Sequence, residues 1–334
     1  MRPTLVDPFG RVVRDLRISV TDRCNFRCTY CMPKEGMTWL PRSELLSFDE
    51  IERVARVCVE DLGFESIRIT GGEPTARAHL PVLVSRLAVL GVDLSMTTNG
   101  ATLAHLAGEL RGAGLGRLNV SLDSLRRDRF ASITGRDLLP QVLEGLAAAG
   151  SAGYERVKVN CVLVRGVNDD EVLDFAEFGR THGVEVRFIE WMPLDGPREW
   201  SASRVVPSAE VVAAIDAVWP VEASGMSPRG ATGGAAPASV YRYRDGQGSV
   251  GVIASVTEPF CGSCDRVRLT ADGQLRNCLF AVQEADLRSI VRGGGTDGDL
   301  VHAIESEVGR KWAGHSIGQV HFVRPARSMS QIGG

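Results

Sequence analysis

Short β-branched runs recur along the first 193 residues, and each gives way to a stretch in which apolar positions follow a helical period. The runs Leu16–Val20, Ser66–Thr70, Asp93–Thr97, Arg117–Leu122, Arg156–Val164 and Glu185–Trp191 read as strands. Between them, Phe48–Leu62, Leu80–Leu90, Leu103–Ala113, Leu138–Ala149 and Asp170–His182 read as amphipathic helices. Ser47 with Glu50 forms a capping-box pattern, and Gly63, Gly91, Gly114 and Gly150 stand where helices should end. Alternation of this kind predicts an α/β fold of βαβ units. Six units fit a partial parallel (β/α)6, TIM-like barrel, with an open doubly wound sheet as the alternative. In both, sites collect at the carboxyl ends of the strands.

Beyond Pro193 the pattern changes. One helix, Ser208–Val218, precedes a segment rich in Gly, Ala, Pro and Ser, which reads as a flexible linker over 224–239. The runs Val240–Arg244 and Ser249–Val256 flank an Asp245-Gly246 turn, and Arg266–Asn277 folds back at Asp272-Gly273, so two hairpins are predicted. Helices near Gln283–Arg292 and Asp297–Val308 and a tail ending in Gly333-Gly334 complete the chain. The predicted division is a barrel domain over 1–223, the linker, and a mainly antiparallel subdomain over 240–334.

Composition narrows the function classes. The 38 basic and 41 acidic residues leave a net charge of −3, which argues against a general nucleic-acid partner. No run approaches the length of a membrane span, and the first residues carry no apolar signal core, so a cytoplasmic protein without a membrane partner is expected. In a reducing compartment, eight cysteines point to metal ligation or catalysis more than to disulfides. Only three lysines occur: Lys34 and Lys311 in polar surroundings, and Lys158 within a strand.

Six of the cysteines form two constellations. Cys24, Cys28 and Cys31 make a C-x3-C-x2-C loop directly after the first strand. Three thiolates there can hold three irons of a cubane and leave the fourth iron open to a small molecule. A structural zinc knuckle would need a histidine, and the first in the chain is His79. Cys261 and Cys264 form a C-x2-C, and the hairpin after them brings Cys278 back beside it. Taken alone, that second motif suits zinc or a second Fe–S cluster equally. Cys58 and Cys161 lie among valines and read as buried small hydrophobes.

The cysteine loop with Tyr30 before its last cysteine, followed one strand later by Gly71-Gly72-Glu73-Pro74, resembles the radical S-adenosylmethionine (SAM) superfamily. The C-x2-C-x13-C, the Cys264-Asp265-Arg266-Val267-Arg268 segment and the terminal glycines resemble one branch of it. That branch is the GTP 3',8-cyclases of molybdenum cofactor biosynthesis, the MoaA family. The resemblance implies two [4Fe–4S] clusters and SAM as cofactors. It implies GTP as the substrate, from which an adenosyl radical takes the ribose 3' hydrogen before the carbon radical closes on guanine C8. It assigns SAM contacts to Tyr30, Gly72, Ser121 and Met192, and GTP contacts to Arg17, Arg68, Thr97, Lys158, Arg187, Arg266, Val267 and Arg268. Catalytic roles fall to Arg17, Arg266, Arg268, Gly333 and Gly334, with the open iron of the second cluster holding the guanine. A flavodoxin- or ferredoxin-like electron donor and product transfer to cyclic pyranopterin monophosphate synthase are implied as well, for a monomer or homodimer.

Strand parity supports part of this. Lys158, Asn160 and Val162 face away from the apolar set Val157, Val159, Cys161 and Leu163. A lysine on the lumen side, with no carboxylate in its own strand, calls for an anionic ligand. Ser66 departs from the family, where a second basic residue is common, so triphosphate binding should lean on Arg68, Lys158 and Arg187. The competing readings are a peptide-modifying radical SAM enzyme with an auxiliary cluster, or a non-catalytic Fe–S or zinc module that recognises nucleotides.

Overall fold

Alternate residues of the first six strands are buried aliphatic, sulfur or aromatic side chains: Leu16 and Ile18, Ile67 and Ile69, Leu94 and Met96, Leu118 and Val120, Val159 and Cys161, Val186 and Phe188. The positions between them are polar, so a period of two sorts each strand into an aliphatic face and a polar face. The aliphatic faces join helical side chains such as Ile51, Val54, Leu83, Leu110 and Phe175 in one continuous core. Burying each such side chain contributes about 1.5–3 kcal/mol.

The computed structural model describes residues 4–32, 37–155, 157–194, 199–229, 234–320 and 322–333. Its strands are β1 (Asp15–Ser19), β2 (Ser66–Thr70), β3 (Asp93–Thr98), β4 (Arg117–Ser121), β5 (Val157–Leu163), β6 (Glu185–Glu190), β7 (Val221–Arg229), β8 (Gly234–Tyr243), β9 (Ser249–Ile253), β10 (Arg266–Leu269), β11 (Gln274–Arg276) and β12 (Ala285–Asp286). All twelve form one sheet in the order β12-β11-β10-β1-β2-β3-β4-β5-β6-β9-β8-β7. The helices are α1 (Phe48–Glu60), α2 (Leu80–Ala88), α3 (Leu103–Gly112), α4 (Arg127–Thr134), α5 (Leu139–Ser151), α6 (Val172–His182), α7 (Ser208–Asp216), α8 (Leu287–Arg292), α9 (Asp297–Val308) and α10 (Met329–Ile332).

The partial parallel barrel is as predicted, with β1 to β6 in sequential parallel order. Its curl is visible in the electrostatics, because Lys158 on β5 feels the charge of Arg68 on β2. The C-terminal part differs from the prediction in how it is attached. Its β9 pairs parallel to β6, and its β10 pairs parallel to β1. Eight adjacent strands therefore run parallel, and only the flanking hairpins β7–β8 and β11–β12 are antiparallel. The 224–239 stretch is not simply a linker, since most of it lies in β7 and β8. Small side chains there pair main chain to main chain, and the register shifts where Gly225 takes φ +83°.

At the helices, the Ser47–Glu50 capping box is present. Helix α5 runs past Gly150, and the left-handed turn falls at Gly153 instead. Helix α4 was not foreseen, because its arginine-rich segment shows only a weak apolar period, yet its Phe130 is fully buried. Cys58 and Cys161 are buried in the core and unpaired, as expected. Among the described residues, no helix is long and apolar enough to cross a membrane.

Candidate active site

The polar face of the barrel is layered. At the carboxyl ends of four neighbouring strands it presents small hydroxyl side chains: Ser19, Thr70, Thr97 and Ser121. Their size leaves space, and Thr70, Thr97 and Ser121 line a cleft of about 760 Å³, counted to its open mouth. Cys24, Cys28, Cys31, Tyr30 and Gly72 line the same cleft. The first cysteine trio and four of the predicted ligand contacts thus share one cavity at the end of the barrel where parallel-sheet sites form.

Gly71 and Gly72 owe their place to the chain itself as much as to any ligand. A Cβ on Gly72 would lie 2.3 Å from the Asp22 carbonyl oxygen and 2.6 Å from that of Arg23. The Gly72 and Glu73 amides donate to the Thr21 and Arg23 carbonyls at 2.7 and 2.8 Å. The glycines therefore let the segment after β2 lie flat against the backbone that leads into the cysteine loop.

Two carboxyl groups that sequence reasoning missed brace this loop. Glu73 accepts from Thr98 Oγ1 and the Asn99 amide, both at 2.7 Å, and from Thr75. Asn99 passes the connection on, donating from Nδ2 to Asn25 Oδ1 at 2.7 Å. Asp123 accepts from the Tyr30 hydroxyl at 2.6 Å and from the Val162 amide at 2.8 Å. Burial pushes the Glu73 carboxyl up, and it raises that of Asp123 to about 6 against the pull of both hydrogen bonds. Tyr30 can thus offer the cleft its ring, while its hydroxyl is committed to Asp123.

The trio fits an open-site cluster. Burial pushes the Cys24 thiol up to about 11 and the Cys31 thiol up to about 12, with Cys28 also well above its ordinary value. Thiolates so desolvated need a soft metal centre to take their charge. Glu73 and Asp123, the carboxyls that line the cleft, are occupied by hydrogen bonds, so neither is available as a fourth ligand. Among the described residues, no three His, Cys, Asp or Glu side chains converge as a single-ion site. The thiols instead line the open cleft.

Below the hydroxyl layer lies a belt of cations. Arg268, Arg17 and Arg68 stand on one rung across β10, β1 and β2. Arg17, Lys158, Arg187, Arg266 and Arg268 are all buried. Desolvation, reinforced by Arg68, Arg268 and Arg266, pulls the Arg17 guanidinium well below its ordinary value. Among the described residues the Nε atoms of Arg17, Arg266 and Arg268 make no hydrogen bond, though Asp15 lies 3.8 Å from that of Arg17 and Asp265 3.9 Å from that of Arg266. Lys158 does have a carboxylate, though from the adjacent strand: Glu185 Oε1 lies 3.7 Å from Lys158 Nζ and 2.5 Å from Arg187 Nε. Burial, joined by Arg187, lowers Lys158 to about 8. Ser66, on the same rung as Asp15, donates its hydroxyl to that carboxylate at 3.1 Å. Val267 alternates with the two arginines and points into the main core, so it can offer a ligand only main-chain groups.

The second trio lies at the other end of the lumen. Cys264 precedes β10, which runs parallel to β1, whereas the first trio follows β1. The β10–β11 hairpin returns the chain to Cys278, as predicted. Burial raises the Cys261 thiol, with Cys278 and Cys264 adding to the rise. Burial also acts to raise Cys264, but Arg266 and Lys311 outweigh it and bring that thiol down to about 7. Lys311 is buried, contrary to its polar sequence neighbours.

The tail reaches the first trio. Gly333, at φ +85°, sits so close to Thr70 and Ser19 that a Cβ would lie 2.8 Å from Thr70 Cγ2. Ser330 and Met329 line the cleft, and Ser330 hydrogen-bonds Cys31. Arg327 anchors the tail through Asp272 Oδ2 at 2.8 Å and Glu284. Met192 packs with Leu194, Phe280 and Ile332, alongside Met329. Gly334 lies outside the described residues, as does Lys34.

Comparison with known proteins agrees with this geometry. Residues 18–179 match the Radical SAM superfamily, and residues 184–317 match Molybdenum Cofactor Synthesis C. The chain is 48% identical over 332 residues to the GTP 3',8-cyclase of Mycobacterium sp. (strain KMS), covering 99% of this chain and 93% of the relative. It is 47% identical over 332 residues to the GTP 3',8-cyclase of Streptomyces coelicolor, covering 99% and 96%. Among solved structures, Streptococcus suis SuiB bound to S-adenosylmethionine matches with a TM-score of 0.59 and 14% identity, over 89% of this chain and 69% of that one. That last likeness is one of fold.

Proposed function

The chain belongs to the radical SAM superfamily and, within it, to the GTP 3',8-cyclase family, and we propose that its two cysteine trios serve one nucleotide from opposite ends of the barrel lumen. The activity is conversion of GTP to 3',8-cyclo-7,8-dihydroguanosine triphosphate, with SAM consumed, at the entry to molybdenum cofactor biosynthesis. Cys24, Cys28 and Cys31 would hold the first [4Fe–4S] cluster, and Cys261, Cys264 and Cys278 the second. Held there, the first cluster would supply the electron for cleaving SAM to methionine and a hydrogen-abstracting 5'-deoxyadenosyl radical.

The protein's part is to bind, orient and shield. Thr70, Thr97 and Ser121 leave room for the adenosyl group at the top of the lumen, and the Tyr30 ring forms one wall. Arg68, Lys158 and Arg187 take the triphosphate, whose charged oxygens suit guanidinium and ammonium donors. Arg17, Arg266 and Arg268 lie between the triphosphate and the second trio, positioned to steer the ribose and base. The tail segment through Met329, Ser330 and Gly333 closes on the cleft, which keeps water off the radical. An external one-electron donor of the flavodoxin or ferredoxin class completes the scheme.

One observation carries this reading: a lumen with a thiol trio at each end and buried arginines between them whose Nε atoms make no hydrogen bond among the described residues. Anaerobic reconstitution should load about eight irons per chain, four for each cubane. Reduced protein given SAM and GTP should then form 5'-deoxyadenosine and the cyclised nucleotide together. Deoxyadenosine without cyclised product would overturn the substrate assignment and favour a peptide substrate.

A further inference from the structure

The segment Lys311-Trp312-Ala313-Gly314-His315 contains no cysteine, yet it wraps the second trio. Lys311 is only 5% exposed. Its ammonium donates to the Arg266 carbonyl at 2.6 Å and to the Asn277 carbonyl at 2.7 Å, main-chain groups beside Cys264 and Cys278 respectively. Its remaining proton faces Cys264 Sγ at 3.9 Å. Gly314 lies so near Cys261 that a Cβ there would sit 3.1 Å from the cysteine Cβ and 3.6 Å from Sγ. The main chain of His315 hydrogen-bonds the Cys261 thiol, and its ring Nε2 is 2.8 Å from the Ser255 carbonyl oxygen.

The N-terminal segment locks this wrapping in place. Arg11 Nη1 donates to the Cys261 carbonyl at 2.7 Å and to that of Ala313 at 2.9 Å, while Nη2 donates to that of Trp312 at 2.5 Å. Asp7 holds the same guanidinium at 2.5 Å.

Burying an ammonium is costly, and two carbonyls solvate its charge without neutralising it. Burial pulls the Lys311 ammonium below its ordinary value, with Arg11 and Arg268 acting the same way, and only the Cys264 and Cys278 sulfurs oppose that fall. A cubane in its 2+ state on three thiolates carries a net charge of −1, and Lys311 is one of the cations, with Arg266 and Arg268, that face it.

We propose that Lys311 is a positioning residue of the second trio, whose buried ammonium helps to balance the negative charge of the iron–sulfur centre held there and so to set that centre's reduction potential. This rests on reading the trio as a [4Fe–4S] site. Hydrogen bonds and net charge are the levers by which a protein moves such potentials. Reduction adds a negative charge, so loss of the lysine charge should make it harder.

The test uses the full chain with Cys24, Cys28 and Cys31 all replaced by alanine, so that iron loads at the second trio alone. About four irons per chain in that parent sustain the cluster reading, and none refutes it whatever Lys311 does. Lys311→Gln, Lys311→Met and Lys311→Arg are then introduced, with circular dichroism as the folding check. Glutamine keeps amide hydrogens for the two carbonyls and removes only the charge, so its fold should hold. EPR-monitored redox titration should show the Gln and Met variants harder to reduce by about tenfold in the one-electron equilibrium, or about 59 mV more negative. The Arg variant should stay near the parent. Folded, iron-loaded Gln variant titrating at the parent potential overturns the proposal. Iron lost from the folded Gln variant and retained in the Arg variant supports it. Iron lost from all three overturns it, because the site would then require the shape of lysine and not its charge.

Discussion

Glu73 offers a sharp test of how the cysteine-loop end of the cleft is held. Its Oε1 receives the Thr75 amide at 3.1 Å and the hydroxyls of Thr75 and Thr98 at 2.7 Å. Its Oε2 receives the Asn99 amide at 2.7 Å. In Glu73→Gln one oxygen becomes an NH2 group. The threonine hydroxyls can rotate to accept from it, but a main-chain N–H cannot. Each side of the carboxylate faces one main-chain N–H, so either orientation of the amide leaves one of them unpaired.

A hydrogen bond to a charged group contributes about 1.5–3 kcal/mol, and an orphaned buried donor costs about as much as the bond was worth. Against this, the neutral amide escapes the desolvation that pushes the Glu73 carboxyl up. We expect the lost bond to win, with a net destabilisation of about 1–2 kcal/mol. Urea unfolding of the apo chain followed by circular dichroism reads this directly. Because Glu73 also fixes Asn99, and through it Asn25 in the cysteine loop, SAM affinity of the reconstituted protein should fall about tenfold. A Gln variant as stable as the parent, or more so, would show that relief of the buried charge outweighs the hydrogen bonds, and the bracing argument would fail.

Two further outcomes follow from the geometry. Gly333→Ala puts a Cβ 2.8 Å from Thr70 Cγ2 at φ +85°, adding a clash to a left-handed penalty of about 1–2 kcal/mol. Cyclised product should drop at least about tenfold while 5'-deoxyadenosine still forms and the unfolding midpoint holds; unchanged product would mean the tail does not dock at the ends of β1 and β2. For Asp123, burial lifts the folded carboxyl from 3.8 to about 6. The folded state therefore keeps a proton that the unfolded chain has released, so this group's contribution is complete below pH 3.8 and is lost as pH rises through about 6. The full loss has an upper bound of about 3 kcal/mol. Asp123→Asn retains an oxygen for the Val162 amide, and the Tyr30 hydroxyl can turn to accept from its NH2, so its apo stability should lack this fall; parallel profiles for the two chains would contradict the assignment.

What could be read in advance follows from the range of each signal. The first six strands announce themselves because an aliphatic residue recurs at every second position, and the same period set Lys158, Asn160 and Val162 on one face and Cys161 on the other. Parity along a strand says nothing of the neighbouring strand, which is why Glu185 as the partner of Lys158 was not visible until the register was known. Nor could it show that β9 and β10 join the barrel sheet in parallel, since that choice depends on pairing partners far away in sequence. Composition misled over 224–239, because small residues suit a two-stranded ribbon as readily as a loose connection.

The two lysines make the same point most clearly at the site. Lys158 belongs to a periodic strand, so its burial is encoded within about four residues on either side. Lys311 follows α9 in a non-repeating segment that looks like solvent-exposed coil. What buries it is closure of the chain on itself: Arg11, 301 positions from Trp312, holds the carbonyls of Cys261, Trp312 and Ala313 together. Asp7 in turn holds that arginine, so the surroundings of the second trio are built from both ends of the protein. A charge placed beside a metal centre by such long-range contacts leaves no local pattern to find. The cysteine spacing is legible in the sequence, whereas the electrostatic field the six thiols meet is decided by the tertiary fold.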